Sequence, residues 1–191
     1  MPVDPSVFIH PLAACESADV GSRTRIWAFA HVMDGARVGS DCNVCDHVFI
    51  ESGARVGNGV TLKNGVQIWD RVTIEDDVFV GPAATFTNDP NPRATVKKSG
   101  DQLVPTVVGT GATIGANATI VCGVTVGRSA FVGAGAVVIA DVPAHALVVG
   151  NPARRVGWMC QCGERLDDGF SCSCGRRFRP IDGATGLELS P

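Results

Sequence analysis

The sequence contains no tyrosine, and aromatic residues make up only 6% of it; charged residues are scarce as well, at 18%. The formal net charge of -3 leaves no basic excess. A phosphate-backbone partner needs such an excess, so no nucleic-acid partner is expected. No apolar run approaches the ~20 residues of a spanning helix, and no membrane partner is expected either. The opening segment MPVDPSVFIHP has an acidic residue and three prolines but no positive n-region. It is not expected to be a signal peptide, and the protein reads as soluble and cytoplasmic. In that compartment the eight cysteines are not expected to pair as disulfides.

What the chain has instead is a period. Every sixth residue from Val20 to Phe86 is bulky and apolar: Val20, Ile26, Val32, Val38, Val44, Ile50, Val56, Leu62, Ile68, Ile74, Val80 and Phe86. The series resumes at Val108, Ile114, Ile120, Val126, Val132 and Val138. The unbroken first run has a chance probability on the order of one in a million. A period of six is neither helical nor a plain alternation. It marks a hexapeptide solenoid, in which each hexad is a short strand plus a turn and stacked coils share one core.

A second inward column lies two residues before each bulky one, because strand side chains alternate. It is small or β-branched, from Ala18, Thr24, Ala30, Ala36 and Cys42 through to Ala130, Ala136 and Val142. This suits a three-faced prism with one large side chain per face and smaller ones near the corners. Glycine often follows the bulky residue, as at Gly21, Gly39, Gly57, Gly81, Gly109, Gly115, Gly127 and Gly133, where corners are expected. Three hexads make an 18-residue coil. The segment TNDPNPRATVKKSGDQLVPT interrupts the period and reads as a loop thrust from one corner. We therefore expect an all-β domain over residues 1–158 with an extruded loop at 87–107. A small Cys-rich tail is expected over 159–191.

Several motifs resemble one family. Thr24-Arg25-Ile26-Trp27-Ala28-Phe29-Ala30-His31 resembles a TxIWHFxH motif, with Ala28 where the motif usually has His. Val78-Phe79-Val80-Gly81-Pro82, Phe86-Thr87-Asn88-Asp89 and Asn91-Pro92-Arg93-Ala94 resemble VFxGP and FTNxxxPR elements. Gly115 to Gly123 is similar to a GANxTIVxG run, and Gly150-Asn151-Pro152-Ala153-Arg154 to a closing GxPAR. Together these resemble the hexapeptide-repeat nucleotide-sugar 3-N-acetyltransferases. The resemblance covers residues 8 to 166. It implies a left-handed parallel β-helix, against the right-handed default of about 98% for parallel crossovers. It also implies acetyl-CoA as cosubstrate, a UDP- or dTDP-linked 3-amino sugar as acceptor, and a homotrimer with active sites between subunits. The product would feed surface polysaccharide or glycoside assembly.

The same resemblance implies roles. Asn88 and Asp89 would hold the sugar amine, and the Asp89 carboxylate is a candidate acceptor for its proton. Both residues also favour turns. His31 and His47 are pocket candidates with no fixed proton-transfer role. CoA would run along the C-terminal corners at Gly115, Ala116, Gly133 and Ala134, with Arg154 and Arg155 near its phosphates. Arg25, Asn64, Trp69 and Arg93 are the candidates for the sugar nucleotide.

The tail pattern Cys160-Gln161-Cys162-Gly163 with Cys172-Ser173-Cys174-Gly175 resembles a degenerate zinc ribbon. Four thiolates suit a structural tetrahedral zinc, although CxC is tighter than the usual CxxC, and free thiols are the other reading. Three other functions fit the sequence less well. A γ-class carbonic anhydrase needs two histidines five apart, and no such pair exists here. Serine- and maltose-type O-acetyltransferases place a catalytic His in the region where residues 87 to 107 contain none. A non-catalytic prism scaffold leaves the loop motif without a purpose.

Overall fold

In the computed structural model, residues 4–181 and 185–190 are described. Met1–Val3 of the N-terminal segment, Asp182–Ala184 of the tail and Pro191 lie outside them.

The hexads fold as the period dictates. Most strands are two residues long, one side chain out and one in, and they stack into three parallel sheets. The first face, A, runs Phe8–Ile9, Arg25–Ile26, Asn43–Val44, Thr61–Leu62, Phe79–Val80, Thr113–Ile114, Phe131–Val132 and Ala146–Val149. Face B runs Ala14–Cys15, His31–Val32, Phe49–Ile50, Gln67–Ile68, Thr85–Phe86, Thr119–Ile120 and Val137–Val138. Face C carries Arg37–Val38, Arg55–Val56, Val72–Ile74, Thr106–Val108 and Thr125–Val126. The result is a parallel β-solenoid of about eight turns, the architecture of the left-handed β-helix. No helix among the described residues is long and apolar enough to cross a membrane.

The core is one continuous column. Ile26, Val44, Leu62, Val80, Ile114 and Val132 of face A are all fully buried, as are Ile50, Ile68 and Ile120 of face B. At roughly 1.5–3 kcal/mol per buried aliphatic side chain, this column is the main stabilising term.

Corners use two separate devices. At the position three before the bulky residue the backbone turns left-handed: Arg23, Phe29, Gly35, Asp41, His47, Gly53, Gly59, Gly65, Arg71, Asp77 and Ala83 all have φ between 56° and 86°. Glycine is free there, and other residues accept some strain because the stacked coil over-determines the turn. The glycines that follow the bulky residues serve a different purpose. A Cβ on Gly39 would overlap the Gly57 backbone, and one on Gly81 would overlap Gly115 and Ala116. Their lack of a side chain lets coils stack closely. The sequence reading placed glycine at the corners correctly, but close approach of backbones is the reason in these columns.

The first coil departs from the second-column pattern. Ala18 is exposed, and Ser17 is buried in its stead, donating through Oγ to Ala36 O at 2.7 Å. The rungs there step by 17 residues, Phe8 to Arg25 and Ala14 to His31, where later rungs step by 18. That one-residue deficit shifts which side chain faces inward. At the other end the solenoid continues past the last hexad at Val138. Ala146–Val149 pairs with Phe131–Val132, and Arg154–Trp158 returns antiparallel along it.

Candidate active site

The interruption after Phe86 is an insertion between faces B and C. Phe79 pairs with Thr113 and Thr85 with Thr119, a step of 34 in place of 18, so the coil resumes in register. The neck of the loop is tied. Val104 N–H donates to Asn88 O at 2.8 Å, Cys122 N–H to Thr87 Oγ1 at 2.9 Å, and Asn88 Nδ2 to Asp70 O at 3.3 Å. Farther out, Arg71 pairs with Asp101. These ties fix a long polar loop over the corner between faces B and C.

Beneath it lies a cleft of about 450 Å³. Its walls include Glu51 and Trp69 from two successive corners, and Asn88, Asp89, Arg93 and Lys98 from the loop. Asp89 is the electrostatic centre. Lys98 Nζ donates to its Oδ1 at 2.6 Å and Asn91 N–H donates to the same oxygen at 2.8 Å. The Lys98 ammonium is the larger of the two influences that hold the Asp89 carboxyl below the ordinary carboxylate range. Asp89 is therefore a fixed, ionised acceptor at neutral pH. Arg93 and Lys97 line the same cleft, which gives it cations suited to a diphosphate.

Of the expected site residues, the cleft gathers Trp69, Asn88, Asp89 and Arg93. His31 sits two rungs below on face B. Its Nε2 lies 3.2 Å from Glu16 Oε1, and its ring meets Phe49 at 5.5 Å, which in turn meets Trp69 at 5.5 Å. His47 is at the corner between faces A and B, stacked on Phe29 at 5.0 Å. Asn64 is exposed on that same corner. Arg25 does not join them. It points from face A into a separate depression with Ser6, Phe8, Arg23 and Asp41.

The expected CoA residues form a column of their own. Gly115, Ala116, Gly133 and Ala134 stack on the corner between faces A and B, where Gly135 N–H donates to Ala116 O at 2.8 Å. Among the described residues the backbone N–H groups of Ala116 and Ala134 have no partner. Such groups beside side chains this small can donate to the amides of an extended pantetheine. Arg154 pairs with Val149 at the top of this column, whose side chain fills the space beside Gly133. Arg155 is drawn away: its guanidinium lies 4.3 Å over the Trp158 ring, toward the tail.

Sequence reasoning missed Glu51, Lys97 and Lys98. The spacing of nine between Asp89 and Lys98 matches no secondary-structure period, and only the folded loop brings them together.

In the tail, the Sγ atoms of Cys160, Cys162, Cys172 and Cys174 all lie within 4.8 Å of one another. The Cys174 thiol is lowered to about 6, first by the Arg176 backbone N–H, while burial pushes Cys160 up. Four sulfurs this close together fit a soft tetrahedral cation.

A coiled prism with a polar loop and a glycine-lined corner defines a hexapeptide-repeat transferase, and a family described as the hexapeptide repeat of succinyl-transferase matches residues 105–140. Over 179 residues the chain is 49% identical to the dTDP-3-amino-3,6-dideoxy-alpha-D-galactopyranose 3-N-acetyltransferase of Aneurinibacillus thermoaerophilus, covering 92% of each. The chain belongs to the hexapeptide-repeat nucleotide-sugar 3-N-acetyltransferase family. Solved structures share the fold at lower identity. A mutant GDP-perosamine N-acetyl transferase from Caulobacter crescentus, in complex with CoA and GDP-perosamine, gives a TM-score of 0.50 at 23% identity. The match covers 81% of this chain and 55% of that one, so the chain spans about half its length. The UDP-N-acetylglucosamine acyltransferase from Campylobacter jejuni gives 0.51 at 15% identity, covering 82% and 74%.

Proposed function

We propose that this protein transfers the acetyl group of acetyl-CoA to the 3-amino group of a dTDP-linked 3-amino-3,6-dideoxyhexose. The observation that carries this is the 49% identity over 92% of both chains to an enzyme named for that reaction. The cleft suits the acceptor. Trp69 offers a flat apolar face, Arg93 and Lys97 offset the diphosphate, and Asn88 with Asp89 holds the amine. The neutral amine attacks the thioester carbonyl. The C–N bond forms, the C–S bond breaks, and the amine proton passes to the departing thiolate. Asp89 steadies the nitrogen as it becomes positive. His31, two rungs below the cleft on face B, and His47, on the corner across that face from the loop, are assigned contact with the bound nucleotide rather than proton transfer.

Donor and acceptor elements stand on opposite edges of face B, separated by about four extended residues, roughly 13 Å. Reacting atoms must approach to about 3 Å. We therefore assign a homotrimer in which the loop of one subunit meets the glycine corner of the next. Exposed Phe8, Trp27 and Phe79 on face A supply apolar surface for that contact. The product serves surface polysaccharide assembly, including lipopolysaccharide, and the cytoplasm, the source of both cosubstrates, is the assigned compartment. A structural zinc in the tail is the second assigned cofactor.

The test is a rate comparison across dTDP- and UDP-linked sugars aminated at C3 or C4. The dTDP-linked 3-amino sugar is expected to turn over at least about 100-fold faster than the others, the loss when a polar site must bind a mismatched group. Faster turnover of a UDP-linked or 4-amino sugar would overturn the assignment.

A further inference from the structure

We propose that Cys160, Cys162, Cys172 and Cys174 form one tetrathiolate zinc site whose ion docks the tail onto the last coil of the β-helix. The docking role rests on the structural zinc already assigned to the tail.

The tail is a duplicated turn. Cys160-Gln161-Cys162-Gly163 and Cys172-Ser173-Cys174-Gly175 repeat twelve residues apart with the same hydrogen bonds. Gly163 N–H donates to Cys160 O at 3.0 Å, and Gly175 N–H to Cys172 O at 2.9 Å. Both glycines sit at φ 90°, which a side chain would strain. Cys160 N–H donates to Glu164 O and Cys172 N–H to Arg176 O, at 2.8 and 2.9 Å. Each turn therefore presents two sulfurs toward the other turn. The cross-turn Sγ pairs are 3.7 Å (Cys160 with Cys174) and 3.5 Å (Cys162 with Cys172). Sulfurs on a tetrahedral zinc at about 2.3 Å stand about 3.8 Å apart, which these spacings approach. Arg176 Nη1 lies 3.3 Å from Cys174 Sγ and would offset the charge of a zinc tetrathiolate.

The tail also needs such an ion. Among the described residues its own buried cluster is Cys160, Leu166, Cys172, Phe178 and Leu187, and two of those five are the proposed ligands. A module this small does not hold its chain order by apolar burial alone.

The residues flanking the thiols fasten the module to the solenoid. Met159 N–H donates to His145 O at 2.7 Å, and His145 Nδ1 lies 2.9 Å from Met159 O. The fully buried His145 ring packs at 4.7 Å on Phe178, just beyond the second turn. Leu187 N–H donates to Ala144 O at 3.2 Å. Met159 and Phe178 thus flank the thiol cluster in sequence, and both contact the last coil.

The full-length protein, purified without chelator, is analysed for metal and intact mass, then by hydrogen exchange. About one zinc per chain is expected. Cys162→Ser or Cys174→Ser, or stripping the wild type with a chelator, should remove it. The Met159, Phe178 and Leu187 amides should then exchange about 100-fold faster, while coil amides in 108–138 keep their protection. Adding back zinc alone to the stripped wild type should restore the tail. A metal-free protein whose mass shows two disulfides overturns the zinc assignment. Zinc that is present and removable without any change at Leu187 leaves the ion in place and overturns the docking role.

Discussion

Replacing Asp89 by Asn lowers kcat for acetyl transfer by about 100- to 1000-fold, the usual loss when a group that stabilises charge developing in the transition state is removed. Asparagine keeps the shape and the acceptor for Asn91 N–H but removes the charge that pairs with Lys98 and with a nitrogen turning positive. The pH profile separates this role from others. Lys98 holds the Asp89 carboxyl below its ordinary range. A depressed carboxylate is ionised above its ordinary pKa, and its contribution is lost only as pH falls through the lowered value. Activity of the wild type therefore rises with pH as the sugar amine loses its proton, with Asp89 already charged. Asp89→Asn should lower the plateau of kcat against pH and move its midpoint to lower pH, because the bound amine loses the adjacent negative charge that favours its protonated form. A variant with wild-type kcat and an unmoved midpoint would remove Asp89 from the reacting centre.

Gly115→Val unfolds the donor corner and costs about 3 kcal/mol or more. A Cβ at Gly115 would overlap backbone atoms of Gly133 and Ala134 in the next coil. Backbone cannot swing aside as a side chain does, so the coils must part. For a chain of this size each kcal/mol corresponds to about 2–4 °C in Tm, which puts the fall at roughly 6–12 °C by thermal melting. Gly135 is the matched control. It has φ 69° and nothing within 4 Å of an added Cβ, and Asn117 occupies the equivalent position one coil earlier at φ 56°. Gly135→Asn should cost less than about 1 kcal/mol. Similar losses at both positions would contradict the division of corners into left-handed turns and close approaches.

The difference between those glycines shows what the sequence made legible. The inward column from Val20 to Val138 was visible as a bare period, because one large side chain per face is a repeating demand. The loop showed as a break in that period, and the family resemblance singled out Asn88 and Asp89 at its start, which line the cleft. The reason for each corner glycine was not legible, since φ and close approach leave the same letter. Ser17 in place of Ala18 was hidden as well, because a rung one residue short changes the facing without disturbing the composition. The Asp89–Lys98 pair depends on how the loop closes at Asn88 and Val104, a tertiary fact. Arg154 and Arg155 look equivalent as neighbours in sequence. In the structure the first pairs in register with Val149 and donates to Ala153 O, while the second lies over Trp158.

The most direct measurement is the mass of dTDP-3-amino-3,6-dideoxygalactose after incubation with the protein and acetyl-CoA labelled on its acetyl group. The account predicts that the sugar nucleotide gains one labelled acetyl group on its amine, with one CoA released for each. An unchanged sugar nucleotide, with acetyl-CoA left intact, would contradict it.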